Sequence, residues 1–599
     1  IRSEVATNPR VFGLLVSADF KAALIKATFN EGQLYYELIF QQVQQLRQDE
    51  AVEGITIHVS GQPMMVGWIY TYVGQILQIF LFTAAILVAL LVLYFRRVYG
   101  VLLPLLGILL SSVWGLGIIS LLGFNLDPLT LVVPFLISAR AMSHGVQLVQ
   151  RYYQELNIVE QARDAARNTF DSLFRPGTLG VTSDAIGLLL ITLSSVPINV
   201  KLAYYASLWA FGVIFTVLVF IPLALTVLPH PGRSKRIPTS TGFRFQRMVN
   251  SIWNPAGARA VLGVTAALLL GGAYLSSWVQ IGEAEPGTPL LYPEHDYNLS
   301  SKAINTLFPG SEELYVIART EEKGGIKRPE VLRALESLQV YMLNDPDLGG
   351  AKGVPDLVKQ VNRILHNDDP RWMQIPDESS YVGGLMFSYM ASSPVPGALK
   401  EFIDTDEQEA NLVFYYKDHK GETIRRAIHM VKEWVAQHGS SVEGLSIHLA
   451  GGSIGVMAAI NEASYSTNML IIPLVLGLIF IFVTLFYWSW HAGWLMLLAR
   501  SFSTLLTYAY MGLSGVGINV NTVPIIAVGI GVGIDYSIYI MDRIREEMSR
   551  ASPVVPAVRK AIRTTGIAIA FTAASLISGV IMWVFLSDLR FQSDAALLL

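Results

Sequence analysis

The stretch GIGVGIDYSIYIMDRIREE at 529–547 decides the reading of this chain. It sets one carboxylate, Asp535, inside an apolar run and ends in a charged cluster that starts at Asp542 and Arg543. A bilayer core of about 30 Å needs about 20 mostly apolar residues per helix, and the run upstream of Arg543 supplies them. A charge at that depth costs at least about 2.5–3.5 kcal/mol on insertion scales, so a partner or a function has to account for it. Further out, GVGINVNTVPIIAVGIGVGIDYSIYIMDR at 515–543 matches GFNLDPLTLVVPFLISARAMSHGVQLVQR at 123–151 in length and hydropathy, a shift of 392. VEGLSIHLAG at 442–451 repeats VEGITIHVSG at 52–61, a shift of 390. RTTGIAIAFTAA from Arg563 lies over RPGTLGVTSDA from Arg175, with Gly566 against Gly177. The chain is an internal duplication, and both halves read in the same orientation.

Composition agrees with a membrane protein. The 599 residues are 52% apolar and 15% charged, with a mean hydropathy of +0.46, against about 25% charged in soluble proteins. A net charge of −3 with no concentrated basic face excludes a nucleic-acid partner. Zero cysteines exclude disulfides, thiolate metal sites and cysteine catalysis, and favour a bacterial source for a chain with large extracytoplasmic parts. No HExxH, P-loop, GxSxG or zinc-spaced cluster appears, so no enzyme, metal site or organic cofactor is expected. GIGVG at 529–533 lies inside an apolar helix without a preceding βαβ unit, which rules out a nucleotide loop.

Ten spans are expected, near 75–95, 99–123, 128–150, 178–198, 203–228, 259–279, 468–489, 492–515, 523–544 and 566–587, with another starting near 593. Residues 1–70 and 280–465 read as polar α+β domains. Phe12–Ser17 and Ile55–Ser60 alternate like strands around a helix at Gln33–Leu46, and Asn411–Tyr416, Glu422–Gln437 and Leu445–Ala450 follow the same order. The domain plan is 1–70 soluble, 71–230 membrane, 231–258 linker, 259–279 membrane, 280–465 soluble and 466–599 membrane. The charged segments 152–174 and 545–563 read as interfacial helices. Arginine and lysine crowd the loops after the first, third, fifth and ninth spans, which places those loops in the cytoplasm and both soluble regions outside it.

GIGVGIDYSIYIMDRIREE resembles the central helix of the resistance-nodulation-division (RND) superfamily, and the two halves with large extracytoplasmic insertions complete the likeness. FPGSEELYVIART and NDDPRW resemble the branch that contains MMPL lipid exporters, hopanoid transporters and Patched-like proteins. The resemblance implies an α-helical polytopic membrane protein with porter-like α+β domains and twelve helices, of which helix I and most of helix XII lie outside this chain. The ten spans are accordingly numbered II to XI. It also implies proton-driven export of a lipid or other hydrophobic molecule across a bacterial inner membrane, embedded among membrane lipids. Periplasmic or outer-membrane partner proteins and a homo-oligomer fit the same picture. The paired porter-like units are expected to enclose an apolar cavity.

Ionisable residues deep in the spans are few: Arg140 and His144 on helix IV, Asp184 on V, Arg500 on IX and Asp535 on X. At about 1.5 Å per residue from the arginine-rich ends, all lie about 10–16 Å deep. The family's relay acids sit on helices IV and X. Asp535 and Tyr536 match on X, whereas helix IV offers Ser143–His144, so Asp184 on helix V is expected to supply the second carboxylate. Asp535, Tyr536, Asp184 and His144 form the expected proton relay. Arginine keeps its proton, so Arg140 and Arg500 are expected to tune it, together with Ser143, Ser183 and Thr572. Gly529 and Gly533 form a small face for helix packing, expected to bring helix X against helix IV. Two other readings share parts of this pattern: a sterol-sensing-like lipid sensor, and a SecDF-like accessory of protein translocation.

Overall fold

The computed structural model describes residues 2–7, 11–27, 29, 34–125, 132–159, 161–229, 255–393, 397–439, 441–549 and 553–599. Of the 231–258 linker, residues 231–254 lie outside them. The chain divides into two compact units, Ile1–Thr71 with Ile281–Glu462, and Tyr72–Gln280 with Ala463–Leu599.

The first unit is built on one four-stranded antiparallel sheet, β1 (Glu312–Thr320), β2 (Leu348–Lys352), β3 (Glu409–Tyr416) and β4 (Leu445–Gly451), in the order β2-β3-β1-β4. Helix α1 (Pro329–Met342) joins β1 to β2 and α2 (Gly421–His438) joins β3 to β4, the split βαβ of a ferredoxin-like fold. β1 alternates inward Leu314, Val316 and Ala318 with outward residues, and β3 answers with Leu412 and Phe414 at the paired positions. Val331, Leu335 and Leu338 on α1 and Ile424, Ala427, Val431 and Trp434 on α2 recur at helical spacing and close the core over that face. Gly452, just after β4, has φ +74, and a β-carbon there would overlap the Glu313 carbonyl. Gly452→Ala therefore destabilises the unit by about 1–3 kcal/mol, seen as earlier thermal melting of the whole protein.

The N-terminal segment departs from expectation. Tyr36–Asp49 is helical, but Phe12–Ser17 shows only isolated bridges and Ile55–Ser60 forms no strand among the described residues. A strand exists only through its ladder, and β4, the repeat of 52–61, has β1 to pair with. The segment is fastened instead by side chains. Arg47 forks onto both Asp296 oxygens at 2.7 and 3.1 Å, and Trp68 meets the His295 ring edge-on.

Where β1 begins, His419 Nδ1 lies 3.2 Å from Glu312 Oε1. Burial pushes the histidine down, but Glu312, aided by Glu283, raises it above its ordinary 6.5. Burial likewise pushes Glu312 up, and His419 and Ser453 bring it below its ordinary 4.5. The raised histidine contributes stability that is full below about pH 6.5 and lost as pH rises through its folded value. The lowered glutamate contributes stability that is present above about pH 4.5 and lost as pH falls through its folded value. The pair is therefore strongest between about pH 4.5 and 6.5. Melting of the whole protein across pH should show a mildly acidic optimum that His419→Gln flattens.

All ten expected spans are helical: II (Gln62–Phe95), III (Val98–Leu121), IV (Val132–Glu155), V (Ala162–Leu189), VI (Pro197–Val227), VII (Pro255–Ser276), VIII (Gly452–Tyr487), IX (Trp490–Ser514), X (Thr522–Ser549) and XI (Val554–Leu586). Arg590–Leu598 begins XII. Among the described residues eight are long and apolar enough to cross a membrane; IV and IX are the exceptions. Both carry buried arginine, and IV also buries His144, Gln147, Gln150 and Arg151, so side chains facing the bundle interior lower their apolarity. The duplication is visible in the helix starts: Gln62 against Gly452, Val98 against Trp490, Val132 against Thr522 and Ala162 against Val554. Among the described residues no separate interfacial helix forms at 152–174 or 545–563. Helices IV and X run on through Glu155 and Ser549, and V and XI begin at Ala162 and Val554, because those charged turns pair with one another. Arg151 reaches Glu155 (3.0 Å) and Glu546 (2.8 Å), Arg543 reaches Glu546 (2.6 Å) and Glu547 (2.7 Å), and Lys560 reaches Glu547 (2.7 Å).

Candidate functional site

Helix X is broken. Thr522–Val532 and Ile534–Ser549 are two helices meeting at Gly533, inside the GIGVG run, where glycine and β-branched residues are weak helix formers. Two arginines reach carbonyls at the end of the first half: Arg500 Nη2 donates to the Gly529 carbonyl at 2.6 Å and Arg140 Nη2 to the Gly531 carbonyl at 3.2 Å, which also accepts from the Gly533 N–H. Cations at a helix C-terminus also oppose its dipole. Asp535 stands in the first turn of the second half, where a negative charge is favoured. Discontinuous helices of this kind build ion sites in secondary transporters.

The two carboxylates share one guanidinium. Arg140 Nη2 contacts Asp184 Oδ2 and lies 3.4 Å from Asp535 Oδ2. His144 Nε2 is 3.3 Å from the same Asp535 oxygen, and His144 Nδ1 is 2.7 Å from the Tyr539 hydroxyl. Asp184, Asp535 and His144 are 1–3% exposed, Arg140 and Arg500 7–8%. Buried charges survive where they are paired and hydrogen-bonded, and helices IV, V, IX and X each contribute to this pairing.

Helix V lies along both halves of X, and IV lies along XI. The expected packing of X on IV through Gly529 and Gly533 is therefore corrected. A β-carbon at Gly533 would meet the Arg500 guanidinium, and one at Gly529 meets only the chain end at Leu598 and Leu599 in ordinary contact. The close approach is made by helix V. A β-carbon at Gly180 would overlap Asp535 Oδ1, and one at Gly177 would crowd the Tyr539 hydroxyl. Gly180→Ala should displace the Asp535 carboxylate and cost about 1–3 kcal/mol of stability, seen as earlier thermal melting of the whole protein.

Tyr536 lies beside Thr572 and Ser143. Thr572 Oγ1 donates to the Ile569 carbonyl of its own helix at 3.0 Å, while the Ser183 hydroxyl is buried without a partner among the described residues. Three site residues escaped the sequence reading: Tyr539, Gly180 and Gly531. Tyr539 was legible as the residue one turn beyond Asp535 on the same face. Gly180 and Gly531 carry no signal without the tertiary structure.

Ten long helices in a parallel duplication, with buried charges at the centre of the bundle, define a multi-pass membrane protein of RND-type architecture. The chain belongs to the MMPL family, whose model matches residues 3–261 and 317–597. Among solved structures it is similar to SecDF, a translocon-associated membrane protein from Thermus thermophilus. Identity is 17%, with a TM-score of 0.49 over 88% of this chain and 59% of that one. No curated protein matches.

Proposed function

We propose that the chain is a proton-driven transporter that exports a lipid or another hydrophobic molecule from the inner membrane or periplasm of a bacterium. The observation that carries this reading is the arrangement of Asp184, Arg140, Asp535 and His144, two carboxylates on one guanidinium with an imidazole alongside. Protonating either carboxylate changes the charge shared across helices IV, V and X, so the packing of those helices answers to the proton. The two ring nitrogens of His144 face Asp535 on one side and the Tyr539 hydroxyl on the other, which suits a group that hands protons along. No metal or organic cofactor is needed for such a cycle. Membership of the MMPL family supports the hydrophobic cargo.

The test is proton flux in proteoliposomes under an imposed pH gradient, with and without fluorescent lipid in the bilayer. A transporter passes protons and moves lipid between leaflets in step. A sensor passes none. An accessory of protein translocation passes protons without moving lipid.

A further inference from the structure

At the arginine-rich end of the bundle a cavity of about 30 Å³ lies between helices IV, V, X and XI, lined among others by Gln147, Gln150, Arg151, Tyr539, Asp542 and Glu546. That volume holds about two waters. Gln147 is 4% exposed, and both ends of its amide lack a hydrogen-bond partner among the described residues. A buried amide left so is costly unless water reaches it. Asp542 makes no hydrogen bond or ion pair among the described residues, although Arg151, Arg175, Arg545, Glu546 and Tyr487 surround it. Arg151 and Arg543, both paired with Glu546, also line the cavity. On its inner side stands Tyr539, whose hydroxyl is 2.7 Å from His144 Nδ1. His144 Nε2 in turn faces Asp535.

We propose that this cavity is where the relay exchanges protons with the cytoplasm, Tyr539 passing them between His144 and the cavity and Asp542 accepting them there. The inference rests on the relay reading of Asp535. Starting from the neutral Nδ1–H tautomer of His144, protonated Asp535 gives its proton to Nε2. Nδ1–H passes its proton to the Tyr539 oxygen, and the former Tyr539 O–H proton goes through cavity water to the Asp542 carboxylate. Asp535 is left ionised, His144 and Tyr539 stay neutral and Asp542 is protonated, so one proton has moved. Return of His144 to the Nδ1–H tautomer resets the chain. Tyr539→Phe deletes the exchangeable proton that stands between imidazole and cavity. Asp542→Asn deletes the acceptor.

The experiment uses the whole protein in liposomes loaded with a pH dye, beside Asp535→Asn and a thermal melt of each variant. Tyr539→Phe and Asp542→Asn should each lower proton flux at least tenfold with melting unchanged, and Asp542→Glu should restore flux to within about twofold. If both variants keep wild-type flux while Asp535→Asn is inactive, the exchange path is overturned and the relay stands. If Asp535→Asn itself keeps flux, the relay reading fails and takes this inference with it. Loss of flux in Asp542→Glu as well as Asp542→Asn, with early melting, marks a packing role and also overturns the path.

Discussion

Asp535→Asn is expected to abolish proton-coupled transport and leave the protein folded. The amide keeps the shape of the carboxylate and can still accept from Arg140, but it cannot take up and release a proton. Breaking a buried ion pair normally costs about 3–5 kcal/mol because a charge is left alone. Here Arg140 would keep Asp184 and the Gly531 carbonyl, and His144 would keep the Tyr539 hydroxyl. The loss should therefore be well below that range, and melting in detergent should stay close to the wild type. Proton flux and gradient-driven export in proteoliposomes decide the matter. A stable variant with undiminished, gradient-dependent transport would sink the assignment of Asp535. Asp184→Asn should behave in the same way, since Arg140 then keeps Asp535. His144→Gln should slow coupling or move its pH optimum.

Arg140→Gln is expected to do the opposite to stability. It removes the one group shared by both carboxylates and a donor to the carbonyl at the break in helix X. Two buried carboxylates then face each other without that cation, and the cost should fall in the range of about 3–5 kcal/mol. The variant should melt early as well as fail to transport. Adding Asp184→Asn removes one of the opposed charges, so Arg140→Gln/Asp184→Asn should recover more than half of the lost stability without recovering transport. That non-additivity marks groups that act as one network. Arg140→Lys should keep part of the stability, because all three contacts of Arg140 pass through the single atom Nη2, a position one ammonium can occupy. Wild-type melting of Arg140→Gln would show that the pairing is not what holds helices IV, V and X together.

Much of the site's membership was legible because each charge stands out against an apolar helix: Asp535, Asp184, His144, Arg140 and Arg500 are all conspicuous one at a time. Their bonding was not. That Arg140 sits between Asp184 and Asp535, and that Arg500 serves a carbonyl at Gly529, depends on which way each helix is turned and on what its neighbours leave room for. The same gap explains the packing correction. Gly529 and Gly533 look like a contact face on their own helix, but only the partner's surface says whether a small residue is needed, and the partner at Asp535 is Gly180. The strands expected at Phe12–Ser17 and Ile55–Ser60 failed for a related reason, since alternation marks a strand-compatible segment but a ladder needs a second chain segment alongside.

By itself, the sequence determined the helical membrane class, the positions of the ten long helices, the parallel duplication and the identity of the buried charges. These are local or repeated properties: apolar length against bilayer thickness, matched segments at one offset, and a charge where none is cheap. Only the tertiary structure decided the break in helix X at Gly533, the alignment of helix V along it, the shared guanidinium between two carboxylates and the contact from His144 to Tyr539. Those features arise where several helices compete for the same space and the same hydrogen bonds, and the outcome of that competition belongs to no single segment.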